Sequence, residues 1–140
     1  MSTLLGAINA AASALDVQRA RMEVAVSNLA NAESTRGADG QPYRRREVVL
    51  EAEPTEPFSG QVEASGVRVA DVIEDQAPFR RRFEPSHPDA DADGFVAVPN
   101  VDVPEEMVNM LGAARAYQAN LTAISLIRDT VQKALDLAKS

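Results

Sequence analysis

Between residues 87 and 96 the chain reads HPDADADGFV, which sets Asp89, Asp91 and Asp93 at alternate positions with Gly94 directly behind them. A helix-loop-helix calcium loop begins this way, with oxygen ligands from alternate residues and glycine at the sixth of twelve positions. Counted from Asp89, Gly94 falls at the sixth place, but the twelfth is Asn100, which offers one carbonyl oxygen where a bidentate carboxylate is wanted. Pro88 also stands where an entering helix would end. The competing reading is an acidic turn whose short carboxylates accept hydrogen bonds from neighbouring backbone N–H groups. The residue chemistry favours the turn, and no metal ligand is assigned. His87 is the only histidine, and beyond these aspartates it has no companion of a kind that binds zinc.

Two further runs could do chemistry. Pro42-Tyr43-Arg44-Arg45-Arg46 is echoed by Pro78-Phe79-Arg80-Arg81-Arg82, and arginine beside an aromatic can pair phosphate and stack on bases. Along a strand, however, consecutive side chains alternate faces, so each triplet presents at most two guanidinium groups to one surface. The triplets also sit among thirteen carboxylates in residues 37–100. Ion pairs within the subunit or across a subunit contact are therefore expected, and nucleic acid is not, in keeping with a net charge of −7. There is no G-x-S-x-G, phosphate loop or HExxH motif, and no cysteine. A lone histidine leaves few nucleophile-base pairs. The chain reads as non-enzymatic, with no cofactor.

The elements that hold these runs are written in charge and periodicity. Residues 1–36 carry three arginines and three acidic residues, residues 37–100 seven arginines and thirteen acidic residues, and residues 101–140 four basic and five acidic residues. The acidity thus belongs to the middle. Seven of the eight prolines lie there too, which excludes a long helix. At the ends, Leu4, Ile8, Ala11, Leu15, Gln18, Met22, Ala25 and Leu29 follow four-three spacing, as do Val103, Met107, Met110, Ala114, Tyr117, Leu121, Ile124, Arg128, Val131, Leu135 and Ala138. That is the seam of a left-handed coiled coil. At ~1.5 Å per residue the two seams span roughly 39 and 54 Å. Pro104 suits a helix start, and Asn28, Asn31 and Gly37 are candidates for the end of the first helix. Gln18 and Arg128, the polar interruptions, are candidates for fixing register.

The middle reads as short strands over 43–53, 66–75 and 79–85, joined by turns such as Asp39-Gly40 and forming one small antiparallel sheet. The expected fold is α+β: long N- and C-terminal α-helices (1–36 and 101–140) pairing as a coiled coil, with a small β-rich middle domain (37–100). Two lone helices leave much apolar surface wet, so the terminal helices are expected to be completed, and ordered, by other subunits or a partner. No apolar run approaches the roughly 20 residues that span a bilayer. No Lys or Arg precedes Arg19, so neither an integral membrane protein nor a Sec-type signal is expected.

The residues also carry a resemblance that runs nearly end to end. SALDVQRARMEVAVSNLANAEST, with Ala30, Asn31 and Thr35, GQPYRRREVVLE, the segment from Gly66 through the aspartate run to Leu111, and Tyr117-Gln118-Ala119-Asn120 in the last helix together resemble flagellar basal-body proximal rod proteins of the FlgC type. The terminal helices resemble flagellar axial proteins in general; the middle segment narrows the match. Where the family often reads Ala-Asn-Ala-Asn-Thr, this chain has Ala32-Glu33-Ser34-Thr35 after Asn31. The resemblance implies a structural rod subunit that transmits torque and assembles helically through its terminal helices. The implied interface is Leu4, Ile8, Leu15, Met22, Leu29, Met107, Met110, Tyr117, Leu121, Ile124, Val131 and Leu135. It further implies, as partners, other copies of the chain, other proximal rod proteins, and the rod-base adaptor to the membrane ring. Synthesis in the cytoplasm, passage through the flagellar type III export apparatus and residence in the periplasmic basal body follow from the same resemblance. A calcium-binding or coiled-coil adaptor module is the alternative.

Overall fold

The computed structural model describes residues 2–53 and 66–139; residues 54–65 of the expected middle domain, with Pro54 and Pro57, lie outside them. Helix α1 (Ser2–Ala30) is followed by strands β1 (Arg46–Ala52), β2 (Val67–Glu74), β3 (Arg80–Phe83) and β4 (Phe95–Val98), and the chain closes with helix α2 (Val103–Lys139). The architecture is α+β, as the sequence implies.

A side chain closes the end of α1 and the start of α2. Asn31 terminates α1: its N–H and its Nδ2 both donate to the carbonyl of Ser27, at 3.1 and 2.9 Å, and its Oδ1 accepts from Ser34 Oγ. These bonds occupy groups that a helix terminus leaves without partners. Asn28, offered above as a point of departure from the helix, lies inside it. At the other end Asp102 caps α2, its Oδ1 accepting from the Glu105 N–H at 3.1 Å. Pro104 is therefore the second helical residue, where a missing N–H removes no intrahelical bond.

Among the described residues the middle forms two ribbons in place of the single sheet expected. β1 and β2 pair antiparallel from Arg46 opposite Glu74 to Ala52 opposite Val67, with an irregularity at Val49/Leu50 that leaves Ala70 unmatched. β3 and β4 pair antiparallel from Arg80 opposite Val98 to Phe83 opposite Phe95. The sequence reading misses β4 because FVAV is too short for a period and follows a run that looks like loop. Two of its residues, Val96 and Val98, belong to the core.

The core is small: Val17, Ala25 and Ala32 in and beyond α1, Val96, Val98, Pro99 and Val101 at β4 and after it, and Ala113 in α2. Asn28 near the end of α1 meets Glu106 near the start of α2, and the helices pack along one another, so they run antiparallel. The β1–β2 ribbon lies on α1 as well. There Ser13 Oγ donates to the Ala10 carbonyl at 2.9 Å and accepts from the Val67 N–H at 3.1 Å.

The loop between β3 and β4 is organised by Asp91. Its Oδ1 accepts from the N–H groups of Asp93 and Phe95, at 3.0 and 2.8 Å, and its Oδ2 pairs with Arg81 at 2.7 Å. Gly94 has φ 81°, and a side chain there would meet the Phe83 ring and Pro85. The hydrogen bond from Phe95, with Arg81 and the Asp93 N–H adding to it, holds the Asp91 carboxyl below its ordinary 3.8. A folded value below the unfolded one means that this carboxylate's stabilisation is complete above about 3.8 and is lost as pH falls through the depressed value. Asp91→Asn is therefore expected to lower the melting temperature near neutral pH, with the gap to the parent closing in acid. A gap that persists unchanged to the acid limit of the fold would contradict this.

Candidate assembly surface and the junction that holds it

One buried polar cluster ties the strand entrance to both helices. Asn28 is 0% exposed and Glu106 2%. The Asn28 amide donates to the Arg46 carbonyl at 2.9 Å and to Glu106 Oε2 at 3.0 Å, while its Oδ1 accepts from the Arg46 N–H and from Tyr43 Oη, both at 2.9 Å. Every hydrogen-bonding position of the side chain is thereby used. The other oxygen of Glu106 accepts from Arg45 Nε at 2.6 Å. Arg45 is itself largely enclosed, with Glu47 and Asp75 at 3.7 and 3.9 Å from its Nη1. Burial works against its charge, yet the hydrogen bond and charge of Glu106 prevail and raise its pKa.

Backbone ties set this constellation. The Arg45 N–H donates to Asn100 Oδ1 at 2.8 Å, and Asn100 Nδ2 donates to the carbonyls of Asp75 and Ala77. The residue that the calcium count placed at a twelfth ligand position is thus a brace for the arginine segment. The arginine triplets are consumed in the same way. Arg44 reaches the Asp75 and Ala77 carbonyls and lies 4.2 Å from the centre of the Phe79 ring. Arg80 donates to the Pro99 and Val101 carbonyls. Arg81 pairs with Asp91 and Arg82 with Glu33 and Glu84. Asp89 accepts from Thr35 Oγ1 and pairs with Arg36. Among the described residues no group of three or more His, Asp or Glu is placed to hold a metal ion.

The apolar stripes end up differently on the two helices. On α1, Ile8, Leu15, Met22 and Leu29 are half-buried and Leu4 is exposed. Among its described residues Val17, Ala25 and Asn28 are the buried positions, because α1 is covered by the β1–β2 ribbon as well as by α2. On α2, Met110, Tyr117, Ile124 and Val131 are half-buried, but Val103, Met107, Leu121 and Leu135 are exposed. The covered line runs through Glu106, Ala113, Asn120 and Ile127 instead, one residue before the expected Met107, Ala114, Leu121 and Arg128. Docking of Glu106 against Arg45 and Asn28 rotates the helix to this side. Gln18 and Arg128 consequently do not face each other: Gln18 accepts from Arg21, and Arg128 bonds its neighbour Asp129. The exposed residues Val103, Met107, Leu111 (53%) and Leu121 fall within one arc of α2, given about 100° per residue. That arc is the candidate assembly surface.

Among the motif residues, Asn31 ends α1 and Thr35 reaches Asp89. Ala30, Gln118 and Ala119 are exposed, and Asn120 faces the helix pair. Reading by stripe alone missed the cluster of Asn28, Tyr43, Arg45, Asn100 and Glu106. A signal was present, since Asn28 continues the helical spacing of Val17, Val24 and Ala25 and so sets a polar residue on the same face as these apolar ones.

Comparison with known proteins narrows the reading. Residues 92–137 match the family model described as flagellar basal body rod FlgEFG protein C-terminal. The flagellar basal-body rod protein FlgC of Salmonella typhimurium is 47% identical over 136 residues, covering 97% of this chain and 98% of that protein. The FlgC of Bacillus subtilis is 39% identical, covering 98% of this chain and 99% of its own length. This chain belongs to the FlgC rod proteins. It is a structural subunit of the flagellar basal-body rod and not an enzyme. Among the described residues no helix is long and apolar enough to cross a membrane.

The junction makes a quantitative demand. Removing one partner of a buried ion pair typically costs about 3–5 kcal/mol. Glu106→Ala is expected to cost that much in denaturant unfolding, whereas Glu105→Ala, at an exposed site one residue earlier, should change stability by roughly 0.5 kcal/mol or less. Equal effects at the two sites would refute the central role given to Glu106.

Proposed function

We propose that this subunit builds the proximal part of the rod by helical assembly through α1 and α2, beside copies of itself and other proximal rod proteins. The rod-base adaptor to the membrane ring is a further neighbour in this reading, and torque passes along the resulting shaft. The observation that carries it is the apolar arc left open on α2, Val103, Met107, Leu111 and Leu121, together with half-open Leu15 and Met22 on α1. A monomer gains nothing from wetting such residues, whereas a neighbouring helix would bury them. The near full-length similarity to proteins named as basal-body rod subunits supports the setting. Passage from the cytoplasm through the type III export apparatus to the periplasmic rod follows from the family resemblance.

The buried polar ties lie where α1 ends and α2 begins, away from the far ends of the helices, and residues 132–139 of α2 are exposed. The far ends should therefore exchange amide hydrogens fastest in the isolated subunit and become protected on assembly. Leu121→Asp and Leu111→Asp are expected to leave the circular dichroism of the dilute subunit unchanged while abolishing co-sedimentation with rod partners. Either variant assembling like the parent would remove this arc from the interface.

A further inference from the structure

We propose that Asn28, Glu106 and Arg45 form a register lock that selects one axial alignment of α1 against α2. The helices do not choose it by their apolar residues alone. Both stripes repeat every seven residues with apolar or aromatic side chains, Ile8, Leu15, Met22 and Leu29 on α1 and Met110, Tyr117, Ile124 and Val131 on α2. Sliding one helix by a heptad, about 10 Å at ~1.5 Å per residue, exchanges one apolar position for another. Apolar contact discriminates weakly between such alignments, while a single buried polar residue can decide among them.

The polar pairing here is specific, because a heptad slip in either direction takes the Asn28 amide away from Glu106, now 3.0 Å from it. One slip brings Ala113, whose side chain has no acceptor, level with Asn28, and moves Glu106 toward Thr35, beyond the end of α1. The opposite slip moves Glu106 toward Arg21, another cation, but leaves Arg45 without its carboxylate and Asn28 facing chain that precedes α2. Asn28 cannot follow α2 in either slip, because its amide and Oδ1 are also bonded to the Arg46 backbone at 2.9 Å. Glu106 cannot leave Arg45 without abandoning a largely enclosed cation whose backbone is held by Asn100. The lock therefore couples three segments: the end of α1, the strand entrance at Arg45 and Arg46, and the first turn of α2. It replaces Gln18 and Arg128, whose side chains bond within their own helices.

Because the chain has no cysteine, the test can use spin labels at two introduced cysteines, Glu23→Cys and Thr130→Cys, both exposed and well separated along the helix axes. The intact lock should give one narrow distance distribution in the dilute subunit. Replacing both buried partners, Asn28→Leu with Glu106→Leu, should add a second population displaced by about 10 Å, one heptad. A single unshifted distribution in that double variant would overturn the proposal. Should the double variant fail to fold, Asn28→Asp sets one carboxylate against another and should raise amide exchange in the first turns of α2 at least tenfold. Exchange in those turns that stays at the parent rate in Asn28→Asp would equally overturn the lock.

Discussion

Glu106 is a carboxylate closed off from water, and most of the structure can be understood as what makes that tolerable. An ion removed from solvent loses hydration worth several kcal/mol unless an opposite charge and hydrogen bonds replace it. Arg45 supplies the charge at 2.6 Å and Asn28 the second donor. Each of these in turn needs a fixed position. Asn28 is held by the backbone of Arg46 and the hydroxyl of Tyr43, and Arg45 by Asn100, which is itself anchored on Asp75 and Ala77. The chain of dependence thus runs from the first helix through the strand entrance to the second helix, and it makes the region where α1 ends and α2 begins the stiff part of the molecule.

That stiffness compensates for a thin hydrophobic core. With aromatics at 4% of the sequence and, among the described residues, buried apolar side chains confined to valine, alanine and Pro99, apolar burial is modest there. The longer side chains, Leu, Ile and Met, stand half-covered or open along the helices. Placing the polar ties inside and the larger apolar groups outside is a poor arrangement for a free monomer and a sensible one for a rod subunit, whose helices are expected to find their apolar partners in neighbouring chains.

The sequence announces the two helices, their approximate ends and the acidic, proline-rich middle, because heptad spacing and proline placement are local signals. It also locates β1, β2 and β3 by their β-branched and aromatic residues. What it does not reveal depends on contacts distant in the chain. The seam on α2 is displaced by one residue at alternate positions because Glu106 is pulled toward Arg45, 61 positions away, and no periodicity count contains that pull. Asn28 looks like a helix end by residue type; only the arrival of Arg46 and Glu106 makes it an interior residue. The strand β4 escapes notice because four residues are too few to show alternation. The match of the middle segment to rod proteins, by contrast, is legible directly, since it rests on residue identity and not on geometry.

The aspartate run shows how similar residues serve different ends. In a calcium loop, alternate carboxylates converge on an ion; here they diverge. Asp91 turns inward to close its own loop, while Asp89 turns back to Thr35 and Arg36 just beyond α1. With Glu33 bonded to Arg82, these contacts tie the β3–β4 ribbon to the exit of α1 through partly exposed charges, each of which is individually weak and screened by salt. The β1–β2 ribbon is held differently, by contact along α1 and by Ser13. The β3–β4 ribbon therefore has the softer electrostatic attachment at its Glu33–Arg82 and Arg36–Asp89 side, and its firmer hold comes from Arg80 on the Pro99 and Val101 carbonyls. Since Val101 leads directly into the Asp102 cap of α2, the position of this outer ribbon is set by the same helix start that Glu106 anchors.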